Sequence, residues 1–417
     1  MMNREQLLNE GILAKFLRYV QIDSPAEEGT GQTPSTPEQL AMARVLCDEL
    51  LALGLSDAKV DQHGFVTATL PGNKQDCPVV GFLAHMDTVP GVPNRGVRPL
   101  VHENYQGGVI QLPSGAVLNP EEFPTLKKVV GHTLVTSDGN TLLGADDKAG
   151  IAAIMEAVCF LLKNPQLQRG TIKVAFTPDE EIGTGIGKFD VKAFGADLAY
   201  TLDGGAYGEM QDETFNAANY RLQITGKSSH TGTARDAMIN AIHLASHLAS
   251  SIPAHMRPET TDGYRGFIHP NTITGTFERV NMQVFVRDFT EQGLQHKEEI
   301  LQRLCQEICH RYPGAAIDLE KTGGYRNMKG ILKDNPLIVQ LAQEAIRMTG
   351  TEPVMRQVRG GTDGSQLTYM GLPTPNLFDG GSNAHSRLEW ASVQWMQKAV
   401  EVVLNLCQLW SSQPRNS

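Results

Sequence analysis

No run of 18 or more uncharged apolar residues occurs in the 417-residue sequence, which argues against a membrane-spanning helix. The opening residues Met1-Met2-Asn3-Arg4-Glu5-Gln6 lack the apolar core of a secretory signal, so the expectation is a soluble, cytoplasmic protein. Cysteine is scarce. The six, at positions 47, 77, 159, 305, 309 and 407, fall mostly in apolar contexts and read as reduced, buried small hydrophobes. Cys305 and Cys309-His310 lie one helical turn apart on an amphipathic stretch, and nothing nearby completes a closed zinc site with them. There is no dense Lys/Arg run, and 46 acidic against 36 basic side chains give a formal net charge of -10. Nucleic acid and anionic membrane are therefore poor partners. Nucleotide fingerprints are missing as well: Gly183-Thr184-Gly185-Ile186-Gly187-Lys188 has Ile182 where a P-loop needs its first glycine and Phe189 where it needs Ser or Thr.

What the sequence does have is a set of acidic and imidazole side chains at predicted strand ends and glycine-rich turns. Val79 to Ala84 is a continuous apolar run, of the kind covered on both faces of a sheet, and it delivers His85 at its end. Ile172 to Phe176 leads into Asp179-Glu180-Glu181, and the strand over 197–202 ends at Asp203-Gly204-Gly205. Asp146-Asp147 precedes a strongly apolar helix over 151–162, and His385 follows Gly380-Gly381-Ser382-Asn383-Ala384. Open α/β sheets bind ligands beyond the carboxyl ends of their strands, so chemistry and topology agree.

Taken singly, each residue has a plainer reading. His85 is then a satisfied strand-end histidine, Asp146 a helix cap, Asp179-Glu180-Glu181 an exposed acidic loop, Asp203 a turn residue and His385 a surface histidine. Jointly they point to a two-metal hydrolytic site. Imidazole and carboxylate ligands without thiolate suit zinc, cobalt or manganese, and paired ions commonly share a bridging carboxylate. Two adjacent glutamates supply one ligand and one proton acceptor, and Asp87, two residues after His85, is placed to fix its tautomer.

At 417 residues the chain is expected to form two domains. The first is an α/β catalytic domain with a mixed, mainly parallel sheet flanked by helices, over 1–211 and 329–417. Helices are predicted over 4–20 and 38–54, the second after Pro34-Ser35-Thr36-Pro37 and ended by Gly54. Between its two parts, 212–328 reads as β-α-β-β-α-β, the pattern of an inserted α+β ferredoxin-like lid domain, and it contains none of the five ligand candidates.

From about residue 4 to residue 405 the sequence resembles the peptidase T family, the cytoplasmic tripeptide aminopeptidases of the aminoacylase/carboxypeptidase-G-like superfamily of co-catalytic zinc hydrolases. The strings that carry the likeness include His85-Met86-Asp87-Thr88, Leu142 to Gly150, Lys173 to Glu181, Arg359 to Gly364 and Gly371 to Phe378. Glu103-Asn104-Tyr105-Gln106-Gly107-Gly108 and Glu259-Thr260-Thr261-Asp262-Gly263-Tyr264 point to the tripeptidase branch. The resemblance implies two Zn2+, one on His85 and Asp203 and one on Glu181 and His385, with Asp146 bridging. It implies Glu180 as general base, Asp87 as the partner of His85, and a cis Asp146-Asp147 peptide. It further implies that His230 stabilises the oxyanion from the lid domain, that Arg287 and Arg359, helped by Asn383, hold the substrate carboxylate, and that the lid can support a homodimer. The substrates implied are small peptides, cut at the N-terminal bond. A dipeptidase or N-acyl-amino-acid deacylase on the same scaffold is the alternative, and a non-catalytic metal-binding scaffold a distant one. The sequence departs from the family string around His385, where Ser382, Ala384 and Ser386 are small, and after His230, where Thr231 replaces a common proline.

Overall fold

The computed structural model describes residues 2–415. They divide into two compact units: 2–212 with 331–356 and 362–415, and 213–330 with 357–361. The short segment 357–361, which belongs to the second unit, was not separable from its neighbours by sequence pattern.

The first unit is built on an eight-stranded sheet in the order Lys59–Val60, Val66–Leu70, Ile172–Thr177, Val80–His85, Leu198–Leu202, Asn376–Leu377, Glu209–Thr214, Val354–Val358. Its centre is parallel, from Ile172–Thr177 through Val80–His85 and Leu198–Leu202 to Asn376–Leu377, and antiparallel strands flank it. All six residues of Val80–His85 are buried, as a strand covered on both faces requires. The helix Ala145–Lys163 lies against this strand and against the C-terminal helix Val393–Ser411, and Phe82, Ile151, Met155 and Met396 are in one core. Gly150 permits the close approach of that helix: a Cβ there would lie 2.2 Å from the carbonyl oxygen of Leu202, directly before Asp203.

The predicted helix over 4–20 is broken in two, Arg4–Asn9 and Ile12–Val20. Asn3 and Gln6 form a capping box on the first, and Gly11 caps the second. The other early helix runs Pro37–Leu53, with Pro37 in its first turn and Gly54 left-handed at φ 103°. A second, small four-stranded sheet, in the order Gly381–Ser382, Trp390–Ser392, Leu134–Thr136, Leu100–His102, had no clear signature because its strands are only two or three residues long. It holds both ends of the loop that carries His385.

The second unit has the element order strand Asn216–Thr225, helix Ala241–Ser251, strands Phe267–Gly275 and Arg279–Asp288, helix Glu291–Arg311 and strand Ala316–Gly323. Its antiparallel sheet is ordered second, third, first, fourth, the ferredoxin-like arrangement. Leu222, Ile224, Val284 and Val286 alternate inward beneath Leu244, Leu248, Leu301 and Ile308 of the two helices. Among the described residues no helix is long and apolar enough to cross a membrane.

Candidate metal centre

Five segments of the first unit bring His85, Asp146, Glu181, Asp203 and His385 together. Asp146 stands between the two imidazoles. Its Oδ1 is 2.8 Å from His85 Nε2 and its Oδ2 is 3.2 Å from His385 Nε2. Asp203 Oδ1 lies 4.0 Å from His85 Nε2, and Glu181 Oε2 lies 2.9 Å from His385 Nε2. The side chains therefore sort into two sets, His85 with Asp203 and His385 with Glu181, sharing Asp146. Ligand atoms of His85, Asp146 and Glu181 fall within 4.8 Å of one another, and so do those of His85, Asp147 and Asp203. Asp147 is committed elsewhere: its carboxylate accepts the backbone N–H of His85 at 3.1 Å and of Gly150 at 3.2 Å. The Asp146-Asp147 peptide is cis.

The carboxylates of the 179–181 string have three different surroundings. Asp179, left-handed at φ 57°, turns away and accepts from Ser35 N, Ser35 Oγ and Gln39 Nε2, fixing the 25–39 segment. Glu181 faces His385. Glu180 is partly buried, with Asp203, His85, Asp363 and Glu181 as its charged neighbours. Asp87 ties this string to the His85 strand, because its two carboxylate oxygens accept the backbone N–H groups of Glu180 and Glu181, both at 3.0 Å. His85 Nδ1 is nearer the main-chain oxygen of Asp87, at 3.0 Å, than its carboxylate, at 3.5 Å. Asp87 thus supports the ring largely through its backbone, and spends its charge on the glutamate loop.

Sequence reasoning missed two further acidic residues, Asp379 and Glu389. Asp379 Oδ1 accepts the N–H of Gly205, in the Asp203 turn, and of Gly381, both at 3.0 Å. Glu389 accepts from Leu143, Gly144 and Asp146. The only available signal was their position beside the glycine-rich His385 string.

The remaining candidates are placed as follows. Asn383, left-handed at φ 58°, donates to Leu388 O at 3.2 Å and closes the His385 loop on itself. Within the second unit, His230 is exposed and its Nδ1 accepts from Gly232 N at 3.1 Å. Arg287 donates through one terminal nitrogen to Asn219 Oδ1 at 2.9 Å, and its guanidinium lies over Phe285 and Tyr325. Arg359 is more fully engaged. Its two terminal nitrogens donate to the carbonyls of Gly263, Arg265 and Thr261, at 2.6, 2.8 and 3.3 Å, and the guanidinium lies over Phe215. That arginine organises the 261–265 loop.

Beside Asp146 and Asp203 opens a cavity of about 370 Å³, lined also by Thr125, Glu209, Gln211 and Asn383, with no lysine or arginine in its wall.

Electrostatics test whether cations fit this cluster. Burial, and repulsion from neighbours led by Asp203 for Glu180 and by Asp146 for Asp203, hold both carboxyls well above the usual carboxylate range. Burial, then Asp146, pushes Glu181 up to about 7 despite its bond to His385. Burial opposes ionisation of Asp146 too, but its bonds to His385 and His85 outweigh that and keep its carboxyl below the usual range. So many buried carboxyls cannot ionise together unless positive charge is added. Glu181 Oε1 is moreover buried without a hydrogen-bond partner, an acceptor left for something outside the chain. The donors are all imidazole nitrogen and carboxylate oxygen, so the residues fit a pair of divalent cations.

A pH prediction follows for metal-stripped protein. Burial, the leading cause in each, pushes Glu181, Asp363, Asp379 and Glu389 up to about 7. Bonds to Asp146 and Glu181 raise His385 to about 10. In every case the folded state holds its proton to higher pH than the unfolded chain, so stability falls as pH rises above the ordinary carboxylate pKa of about 4.3. The melting temperature of chelated protein is expected to drop steadily from pH 5 to pH 8, while metal-loaded protein changes far less. A flat profile for the stripped form would contradict this charge balance.

An α/β unit that gathers two imidazoles and three carboxylates, with His85, Glu181 and Asp203 beyond the carboxyl ends of parallel strands, has the make-up of a metal-dependent hydrolase. The chain belongs to the peptidase family M20/M25/M40, whose family model matches residues 132–409, and within it to the peptidase T family. It is 45% identical to peptidase T of Bacillus subtilis, over 97% of this chain and 100% of that one. To peptidase T of Caldanaerobacter subterraneus it is 44% identical, over 96% and 98%. Among solved structures, aminopeptidase PepT of Bacillus cereus superimposes with a TM-score of 0.74 at 24% identity, covering 99% of this chain and 100% of that one. A Staphylococcus aureus tripeptidase gives 0.75 at 23%, with the same coverage.

Proposed function

We propose that this peptidase releases the N-terminal residue of tripeptides, using two Zn2+ held by His85, Asp203, Glu181 and His385 with Asp146 between them. The observation that carries the reading is the placement of Asp146, one oxygen toward each imidazole, in a chain that matches peptidase T relatives across nearly its whole length. Two divalent ions, when bound, supply Lewis acidity for the scissile carbonyl and a water of lowered pKa.

The chain's own residues do the rest. Burial and the neighbouring Asp203 hold the Glu180 carboxyl well above the usual carboxylate range, which makes it more basic than a free glutamate, as a proton acceptor requires. It takes a proton from the attacking water and passes it to the leaving amine. His230 donates to the developing oxyanion. Arg287 has donors left for the substrate carboxylate, and Asn383 supports the His385 loop; Arg359 contributes by holding the 261–265 loop rather than by a free guanidinium. The cavity lined by Glu209 and Gln211, acceptor-rich and free of lysine and arginine, suits the ammonium end of a small peptide. A homodimer through the second unit and a cytoplasmic location belong to the same reading by analogy with the family.

The test is a panel of tripeptides, dipeptides, N-acetylated tripeptides and N-acyl-amino acids, assayed with zinc or cobalt for release of free amino acid. Free tripeptides are expected to be cleaved at the first bond and acetylated ones not. Turnover of acyl-amino acids without turnover of tripeptides would defeat the reading.

A further inference from the structure

We propose that Glu389 is a positioning residue that locks the Asp146 loop to the His385 loop, so that one carboxylate meets both imidazoles in a single geometry. The proposal rests on the two-metal reading of the site and on contacts that reading does not use. Glu389 is 1% exposed. Its Oε2 accepts the N–H groups of Leu143 at 2.8 Å and Gly144 at 2.7 Å, and its Oε1 accepts that of Asp146 at 2.9 Å, from 243 residues away in sequence. Three backbone donors just ahead of the regular turns of the helix Ala145–Lys163, where Asp146 and Asp147 are themselves non-helical, are satisfied by one carboxylate.

The other end of the link is equally fixed. Trp390, next in sequence and fully buried, pairs with Thr136 in the small sheet. The loop between is closed by Glu389 N to Ser386 O at 3.2 Å, Leu388 N to Ser386 Oγ at 3.1 Å and Asn383 to Leu388 O. His385 sits within this closed loop, four residues from Glu389, with backbone left-handed at φ 59°. A displacement of the 143–146 backbone relative to this loop would move Asp146 Oδ2 away from His385 Nε2, which it meets at 3.2 Å. Because Asp146 also meets His85, the change would reach both cation positions.

A purely structural reading is that Glu389 merely satisfies three buried amides. The two readings separate on Glu389→Gln, which keeps size and one acceptor oxygen but turns an NH2 toward backbone N–H donors. We expect cobalt affinity, measured by chelator competition, to fall about 10- to 100-fold at both positions, the usual effect of losing a residue that orients ligands. The visible absorption of the cobalt form should change, and kcat should fall by a similar factor with KM for a tripeptide unchanged. Glu389→Asp, which keeps the charge and both oxygens, should recover part of the affinity. A wild-type cobalt spectrum and wild-type kcat per folded molecule, with only the melting temperature lowered, would overturn the proposal. If Glu389→Gln does not accumulate folded, Glu389→Asp is read the same way: a shifted spectrum supports the link and an unshifted one with a lower melting temperature overturns it. Wild-type protein binding fewer than two cobalt ions would instead fault the two-metal reading, and the spectrum reports whether or not tripeptides are the substrate.

Discussion

Glu180→Gln is expected to lower kcat for tripeptides by about 100- to 10,000-fold, the span that a positioned proton acceptor commonly contributes, with bound metal unchanged. The two glutamates of the 180–181 pair stand in different surroundings. Glu181 lies 2.9 Å from His385, with its other oxygen buried and unpartnered, as a ligand would be. Glu180, partly buried beside Asp203, has that carboxylate rather than an imidazole as its leading charged neighbour. The amide at 180 keeps volume and removes the basic oxygen, and the backbone N–H of residue 180 keeps its bond to Asp87. Loss of turnover at two metals per chain supports the assignment. Substantial retained activity would remove Glu180 from the role of proton acceptor, and loss of metal would show that it is a ligand.

The second large effect is expected at Asp146. Asp146→Ala removes the one side chain that both imidazoles contact, at 2.8 and 3.2 Å. His85 is then left with Asp203 at 4.0 Å and His385 with Glu181. Losing a residue that only orients ligands commonly costs 10- to 100-fold in metal affinity, so losing a shared ligand should cost at least about 100-fold at each position. Dialysed variant protein should carry less than one metal per chain and show no measurable turnover. Retention of one equivalent at wild-type affinity would mean that Asp146 serves a single ion.

How much of this could be read without a structure depended on locality. His85, Glu181 and Asp203 follow apolar runs, and a buried parallel strand has a signature in sequence because both its faces must be apolar. Asp146 and His385 stood out as charged residues in glycine-rich turns, where backbone approach to a ligand is common. The sequence pattern over 4–20 gives one continuous helix because apolar spacing runs on across Glu10-Gly11, while the break is made by the extended backbone of Glu10, which ends the first helix, and of Gly11, which starts the second. Asp179 looked equivalent to its two neighbours in sequence. Its left-handed backbone and the donors of Ser35 and Gln39, about 140 residues earlier, turned it away from the site.

Composition, the order of elements and the residue types at strand ends are properties of the chain itself, and they determined the α/β class, the inserted β-α-β-β-α-β segment and the chemistry of imidazole with carboxylate. The tertiary structure decided which carboxylates face the imidazoles and which face backbone amides. A buried carboxylate is costly unless donors or a cation meet it, and the donors for Asp87, Asp147, Asp379 and Glu389 come from loops that only folding brings near. Those four are held mainly by N–H groups. Asp146 is held by the two imidazoles, and Glu181 by His385 with one oxygen left unpartnered, which is why the cluster calls for metal.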